Sequence, residues 1–599
     1  MKKFALIFLL LTITIGYAFF SCRQKPKVPE KAIAQTLLLQ IDSFSAKKNK
    51  LLAEAERKQP HEKQLQHLFL ETRLAYKKIE WATEYFDPAT SRFVNGPPVQ
   101  EIEMSDGQVF EPAGLQVIEG YLFPRYDSTH HQDLVHQLQL LQQGCDTYKS
   151  RFTNIALFNW QVFDAAKLEV FRILSLGITG FDNPLSLKSM QEAATSLGSI
   201  KTALAYYEDT VGNENLPARF NAASHYLLTH TNFNAFNRAQ FITAYANPLT
   251  TGIARLESKL KFNPATYNRL LNQSAKTLFD KDAFNINAYA LGLSSFATAK
   301  KIALGKALFA ETMLSGTGSR SCQSCHQPEK AFTDGLVTNT VIGSHNALLR
   351  NTPTLINAAL QPAQFYDLRT NTLEDQANSV VGNPLEMHGS MQLAAKRLWQ
   401  SKTYRQLFAA AFPIKNRIGI DTLEVMNAIG SYVRSLTLLN SRFDEYMRGN
   451  KTAMNQQEIN GFNLFMGKAK CATCHYMPLF NGSFPPRYMI VESEVIGVPK
   501  TADGKMIDND MGRYAILKTP AFKHAFKIST VRNAARTAPY MHNGAFTTLN
   551  QVVDFYNKGG GAGLGLNVDN QTLPLGKLNL SQKECDEVVA FIKSLDSKG

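Results

Sequence analysis

Cysteine is scarce in this chain, with seven among 599 residues, and tryptophan is scarcer still, with three. So few cysteines exclude a disulfide scaffold as the organising device. Acidic residues are outnumbered, 50 against 64 lysines and arginines, which leaves a formal net charge of +14. Beyond Phe20 no apolar run is long enough to cross a bilayer. Strand-like alternation is missing from residues 31–280, which argues against a sheet there. What is present is a basic, mainly α-helical chain, long enough for two or three domains.

The opening, "MKKFALIFLLLTITIGYAFFSC", has two lysines, an apolar run from Phe4 to Phe20, and Ser21 before Cys22. That is the layout of an export signal. It resembles a bacterial lipoprotein signal, in which residues 1–21 are removed and Cys22 becomes the lipidated first residue. The departure is Phe19, where such signals prefer leucine. The expected location is the periplasm or cell envelope, against the membrane surface through a lipid anchor. In an exported protein the positive charge reads as solubility or attraction to acidic partners, and no nucleic-acid partner is expected.

Residues 22–284 read as one helical domain. In "EKQLQHLFLETRLAYKKIEWATEYF", Leu65, Phe69, Tyr76, Ile79 and Phe86 recur at the spacing of one helix face. Pro88 and "VNGPP" then break the pattern. Similar stripes run through "FNWQVFDAAKLEVFRILSL" and "MQEAATSLGSIKTALAYYEDT", and a helical bundle is the natural solution. The segment "EPAGLQVIEGYLFP" resembles the imelysin-like helical domains, whose signature is G-x-H-x-x-E. Gly114 and Glu119 match, but Gln116 replaces the histidine, which removes a good metal ligand. The alternative is that Gln116 and Glu119 are a polar pair inside a bundle.

From residue 285 the texture changes to short helices among glycine- and proline-rich loops, a chain that needs a large apolar cofactor to organise it. Two C-x-x-C-H motifs supply its attachment: Cys322, Cys325 and His326, then Cys471, Cys474 and His475. This is the pattern of covalent c-type haem, in which two cysteines bind the vinyl groups and the histidine ligates iron. Zinc would pair the two motifs, but 149 residues separate them and a histidine follows each. A redox dithiol needs no histidine there. Cys145 and Cys585, far apart, read as lone buried thiols.

"LGKALF", "RNTPTLINAAL", "TLEDQANSVVGNPLEM", "GFNLFMGKAKCATCHYMPLF" and "VRNAARTAPYMHNGAFTTLNQVVDFY" then resemble, in order, the bacterial dihaem cytochrome c peroxidase and MauG family. The resemblance implies two cytochrome c-like domains, 285–455 and 456–599. Peroxide would react at the first haem, and electrons from a small redox protein, a cytochrome c or cupredoxin, would enter at the second. Gln376 and Glu386, ten residues apart, match the family's distal pair. A carboxylate can move a proton from the inner to the outer peroxide oxygen, while an amide holds the peroxide. Asn351, Thr537 and Pro539 match a calcium site of oxygen ligands between the domains. The family allows a homodimer.

Two departures stand out. In the W-D-G-R segment that carries the family's inter-haem tryptophan, Tyr366 takes the tryptophan's place and Leu368 the glycine's. Tyr366 can still relay an electron, although its proton must leave too. His345 lies near, but not at, the position of a loop histidine that gates the first haem in many members, and it reads as a surface histidine. The second haem's far ligand, a methionine in the peroxidases, falls 14 residues after His542, on Tyr556. MauG has tyrosine there. Met541 is the alternative ligand, with Tyr556 then a core residue. The expected function is peroxide reduction. The alternatives are a MauG-like oxidase of a protein substrate, a dihaem electron carrier, or an iron-handling module built on the helical half.

Overall fold

The computed structural model describes residues 28–102, 109–208, 215–573 and 576–598. Residues 1–27, and with them the expected export signal and Cys22, lie outside it. The fold is mainly α-helical. Its principal helices in the first half are α1 (Pro29–Ala55), α2 (Glu62–Phe86), α3 (His131–Thr153), α4 (Asn159–Ser175), α5 (Ser189–Glu208), α6 (Leu216–Thr229) and α7 (Asn247–Leu260). The α2 stripe faces inward: Leu65, Phe69, Tyr76 and Ile79 are fully buried. Asp87 closes α2 and accepts from the Thr90 amide, so that Pro88 opens the next helix where its missing N–H costs nothing.

The bundle is not purely apolar inside. Arg73 grips Glu192, Lys77 bridges Glu80 and Asp182, and Arg172 holds Asp182 through two bonds of 2.8 and 2.9 Å. The imelysin-like pair is spent nearby on the backbone. Gln116 donates to the Asn95 carbonyl at 2.9 Å, and Glu119 accepts from the Ser186 amide at 2.9 Å. Among the described residues no cluster of histidine, cysteine and carboxylates is arranged to hold a metal ion.

The second half repeats one small design. Helix α8 (Ala299–Phe309) crosses α10 (Thr422–Ser435), with α9 (Leu373–Gly382) between them in sequence. Helix α11 (Gln456–Phe465) crosses α13 (Gln582–Ser594), after α12 (Leu549–Asn557). Both crossings turn on a glycine. A Cβ at Gly305 would sit 1.9 Å from the Ala428 carbonyl oxygen, and one at Gly461 would sit 1.8 Å from that of Glu587. Only glycine lets the backbones meet so closely. Capping boxes start α10, α11, α12 and α13 (Asp421/Glu424, Asn455/Glu458, Thr548/Gln551, Ser581/Glu584), which is why such short helices persist between long loops.

The cores divide unevenly. The first of these units has its own apolar clusters, built on Leu304, Leu308, Met391, Leu398 and Phe408 and on Phe309, Leu355 and Tyr432. The second shares one continuous core with the helical bundle, from Leu37 and Phe171 to Phe462, Phe480 and Phe591. A cavity of about 1630 Å³ lies where the bundle meets both units, lined in part by Arg92, Tyr289, Leu368, Glu494 and Arg513.

Candidate haem sites

The first motif is a single 3-10 turn, Cys322–Ser324, closed at its start by Ser321 and Ser324. The His326 amide donates back to the Cys322 carbonyl at 2.9 Å, which folds the imidazole onto the turn. Its Nδ1 lies 2.9 Å from the Phe332 carbonyl, so Nδ1 carries the proton and Nε2 keeps its lone pair for a metal. Burial pushes the His326 pKa down, against the pull of the Phe332 carbonyl. Cys322 and Cys325 are free thiols. Burial lifts them to about 12 and about 11.

The structure gathers Glu386 to this turn. Arg320, two residues before Cys322, donates to the Glu386 carbonyl at 3.2 Å. Asn383 donates to the Glu386 carboxylate at 2.6 Å. The Glu386 charge in turn lifts the Cys325 thiol. Burial raises Glu386 above the usual carboxylate range, while Asn383, Arg369 and Arg320 hold the rise in check. Gln376 sits half-buried in the second turn of α9, which Thr372 caps, and among the described residues no partner claims its side-chain amide. Arg320 and Asn383 were invisible in the sequence, because a loop arginine and a helix-ending asparagine are ordinary surface choices.

The second motif repeats the turn at Cys471–Thr473, with the His475 amide on the Cys471 carbonyl at 2.9 Å. The Phe465 ring stands 6.4 Å from His475, as Phe309 stands 6.4 Å from His326. Burial takes His475 down to about 4. The Phe480 and Ser529 carbonyls pull weakly the other way, but no hydrogen bond of good geometry reaches Nδ1. Tyr556, on α12, is raised first by burial and then by the charges of Cys474, Cys471 and Glu494, which puts its hydroxyl on the side of this motif. Glu494, 3.8 Å from the Cys474 sulfur, is raised by burial to about 7. Met541 stands instead at the start of the turn between Tyr540 and Phe546, in a left-handed conformation (φ 72°).

Where the two units meet, the Tyr366 carbonyl accepts from the Lys527 amide at 2.7 Å, tying them together. Burial raises the Tyr366 phenol and takes the Lys527 ammonium down to about 8. Arg350 links Asp367 and Asp510 across the same seam. The Asn351 amide meets the His542 carbonyl at 2.7 Å, and its side-chain NH2 serves the Leu336 and Val337 carbonyls, which leaves its side-chain oxygen over. Among the described residues Thr537 hydrogen-bonds only within its own turn, to Ala534, and Pro539 follows a cis peptide bond. No hydrogen bond joins Asn351 to Thr537 or Pro539 among the described residues. His345 is exposed in a turn.

Each motif fits a c-type haem: two unpaired thiols one turn apart, a half-buried neutral imidazole folded against them, and an aromatic ring behind it. The family model described as "Di-haem cytochrome c peroxidase" matches residues 299–452. Cytochrome-c peroxidase IdrP2 of Denitromonas iodatirespirans is 31% identical over 326 residues, covering 52% of this chain and 85% of its own. Methylamine utilization protein MauG of Methylorubrum extorquens is 33% identical over 303 residues, covering 50% and 79%. A solved MauG-like protein associated with microbial copper homeostasis covers 51% of this chain and 92% of its own, at 26% identity and a TM-score of 0.45. The chain belongs to the dihaem cytochrome c peroxidase and MauG family of oxidoreductases. The relatives match about half of it, and the helical bundle is additional.

Proposed function

We propose that this protein reduces hydrogen peroxide to water, with the reaction at the first motif and electrons entering at the second from a small redox protein. The observation that carries this reading is the Glu386 carboxyl, raised by burial and anchored through Arg320 to the turn that holds Cys322, Cys325 and His326. Haem bound there supplies the iron that peroxide meets. Glu386 takes the proton from the inner peroxide oxygen and returns it to the outer one. The unclaimed amide of Gln376 orients the peroxide by hydrogen bonds. Tyr366, half-buried where the two units meet, serves as the relay for electrons. Glu386→Gln tests this. The variant should keep both haems and lose peroxide turnover by about 100-fold or more, and near wild-type turnover would remove Glu386 from the proton-transfer role.

A second reading, MauG-like oxidation of a protein substrate, is favoured by Tyr556. A phenolate at the second iron lowers its potential and stabilises the oxidised state, whereas methionine raises it. The proposal extends to the rest of the assembly. Calcium at Asn351, Thr537 and Pro539 would rest on neutral oxygens alone, and loss of activity on chelation would support it. Cys22 would carry the lipid that holds the protein in the cell envelope, and mass spectrometry of the N-terminal peptide would find it. The donor, a cytochrome c or cupredoxin, would be acidic to complement the net charge of +14.

A further inference from the structure

The relatives match only about half of this chain, and what the additional bundle does for the haem sites is readable from how it is attached. It grips the second motif on both flanks. Before the motif, Arg238 is fully buried, and among the described residues no carboxylate pairs with it. Its Nε donates to the Ile178 carbonyl at 2.9 Å and its Nη2 to that of Phe233 at 3.0 Å. Its Nη1 reaches the Phe236 carbonyl at 3.2 Å and, across the seam, that of Asn463 at 3.5 Å. Asn463 lies in the last turn of α11, where carbonyls have no helical partner and the helix end is negative. The same asparagine accepts from the Ala239 amide at 3.1 Å and donates to Asn237 at 3.2 Å.

The guanidinium also fills the space beside Gly467. A Cβ there would come within 2.5 Å of Arg238 Nη1, and Gly467 accepts from Lys470 in the turn that delivers Cys471. After the motif, Phe181 of the bundle packs on Tyr476, the neighbour of His475, with ring centroids 5.9 Å apart. Leu176 and Phe484 complete that patch. The bundle therefore holds both ends of the Cys471–His475 turn and brings a cation with no acidic partner to one of them. Burial lowers the Arg238 pKa only to about 9, so the charge persists at neutral pH.

We propose that the bundle is a fixed collar for the second haem, and that Arg238 is the positioning residue through which it raises that haem's reduction potential. This rests on the second motif carrying the electron-entry haem. The iron loses one unit of charge on reduction, so an uncompensated cation held against the motif favours the reduced form. It would offset the lowering expected of a tyrosine ligand at Tyr556.

The test is spectroelectrochemical titration of the holoprotein, reading each haem separately, with haem content measured first. In Arg238→Gln the second haem should become harder to reduce, by roughly tenfold in its reduced-to-oxidised ratio at a fixed potential, the scale of one buried unit charge. The first haem should not move, and Arg238→Lys should restore most of the shift. If Arg238→Gln does not fold, Gly467→Ala, whose methyl displaces the guanidinium, should produce the same downward shift. An unchanged second potential in either folded variant, or equal shifts in the Gln and Lys variants, overturns the proposal. A wild-type protein with only one haem would instead overturn the dihaem reading beneath it.

Discussion

Arg320 donates to the main-chain carbonyl of Glu386 at 3.2 Å, across 66 residues of sequence, and so fixes the acid–base carboxylate to the turn that carries the first haem motif. The bond does two things at once. It sets where the carboxylate stands, and its charge opposes the rise that burial imposes on Glu386. Arg320→Met should therefore keep both haems but lose about 10- to 100-fold in peroxide turnover, the usual penalty for a displaced catalytic group. Stopped-flow mixing with peroxide measures it, and an unchanged rate would make the bond structural only.

The pH profile follows from the same group. Glu386 works as a base only when ionised, and burial raises its pKa above the ordinary carboxylate range. Turnover should fall as pH drops through that raised value, so the acid limb lies above the position of a solvated glutamate. In Arg320→Met the limb should move higher still, because a cation that favoured the ionised form is gone. A limb at the solvated value in both proteins would assign it to another group.

Tyr556→Phe should change the optical and EPR signature of the second haem, and Met541→Leu should leave it unchanged. Tyr556 is on the side of Cys471 and Cys474, whereas Met541 sits on the turn whose neighbour His542 accepts from Asn351 at 2.7 Å. A wild-type near-infrared band of sulfur ligation would reverse the assignment.

A stability prediction concerns the pair beneath the second motif. Arg532 holds Asp444 through bonds of 2.7 and 2.9 Å and donates to the Pro478 carbonyl at 2.8 Å, all out of contact with water. Burial alone would raise the Asp444 carboxyl, but Arg532 carries it below its ordinary value. Its contribution is present above the unfolded pKa and is lost as pH falls through the folded one. Arg532→Met leaves the carboxylate buried and alone, which should cost about 3–5 kcal/mol at pH 7. The sign of the pH dependence then inverts: burial now raises the Asp444 pKa, so acidification relieves the penalty. Thermal melts of both proteins across pH test it.

Much of this was legible in the sequence, for physical reasons that can be named. The α2 stripe of Leu65, Phe69, Tyr76 and Ile79 gave away the bundle, because 3.6-residue periodicity is local. The two haem motifs were legible because covalent attachment fixes cysteine and histidine at one spacing. What stayed hidden depends on long-range meetings. Arg238 reads as any arginine until Asn463 and Gly467 fold against it. Glu386 reads as a loop carboxylate until Arg320 and Asn383 enclose it. The core shared by the bundle and the second haem unit could not be read from either segment alone, since each stripe shows only that it needs a partner.

The most direct test of the central claim is Cys322→Ala in the full-length holoprotein, mixed with peroxide and a reduced small cytochrome. The account predicts two haems and steady turnover in the wild type. It predicts one haem, a normal second-haem spectrum and no peroxide reaction in the variant. A variant that still consumes peroxide at the wild-type rate would contradict it, because the reaction would then belong to the Cys471–His475 site.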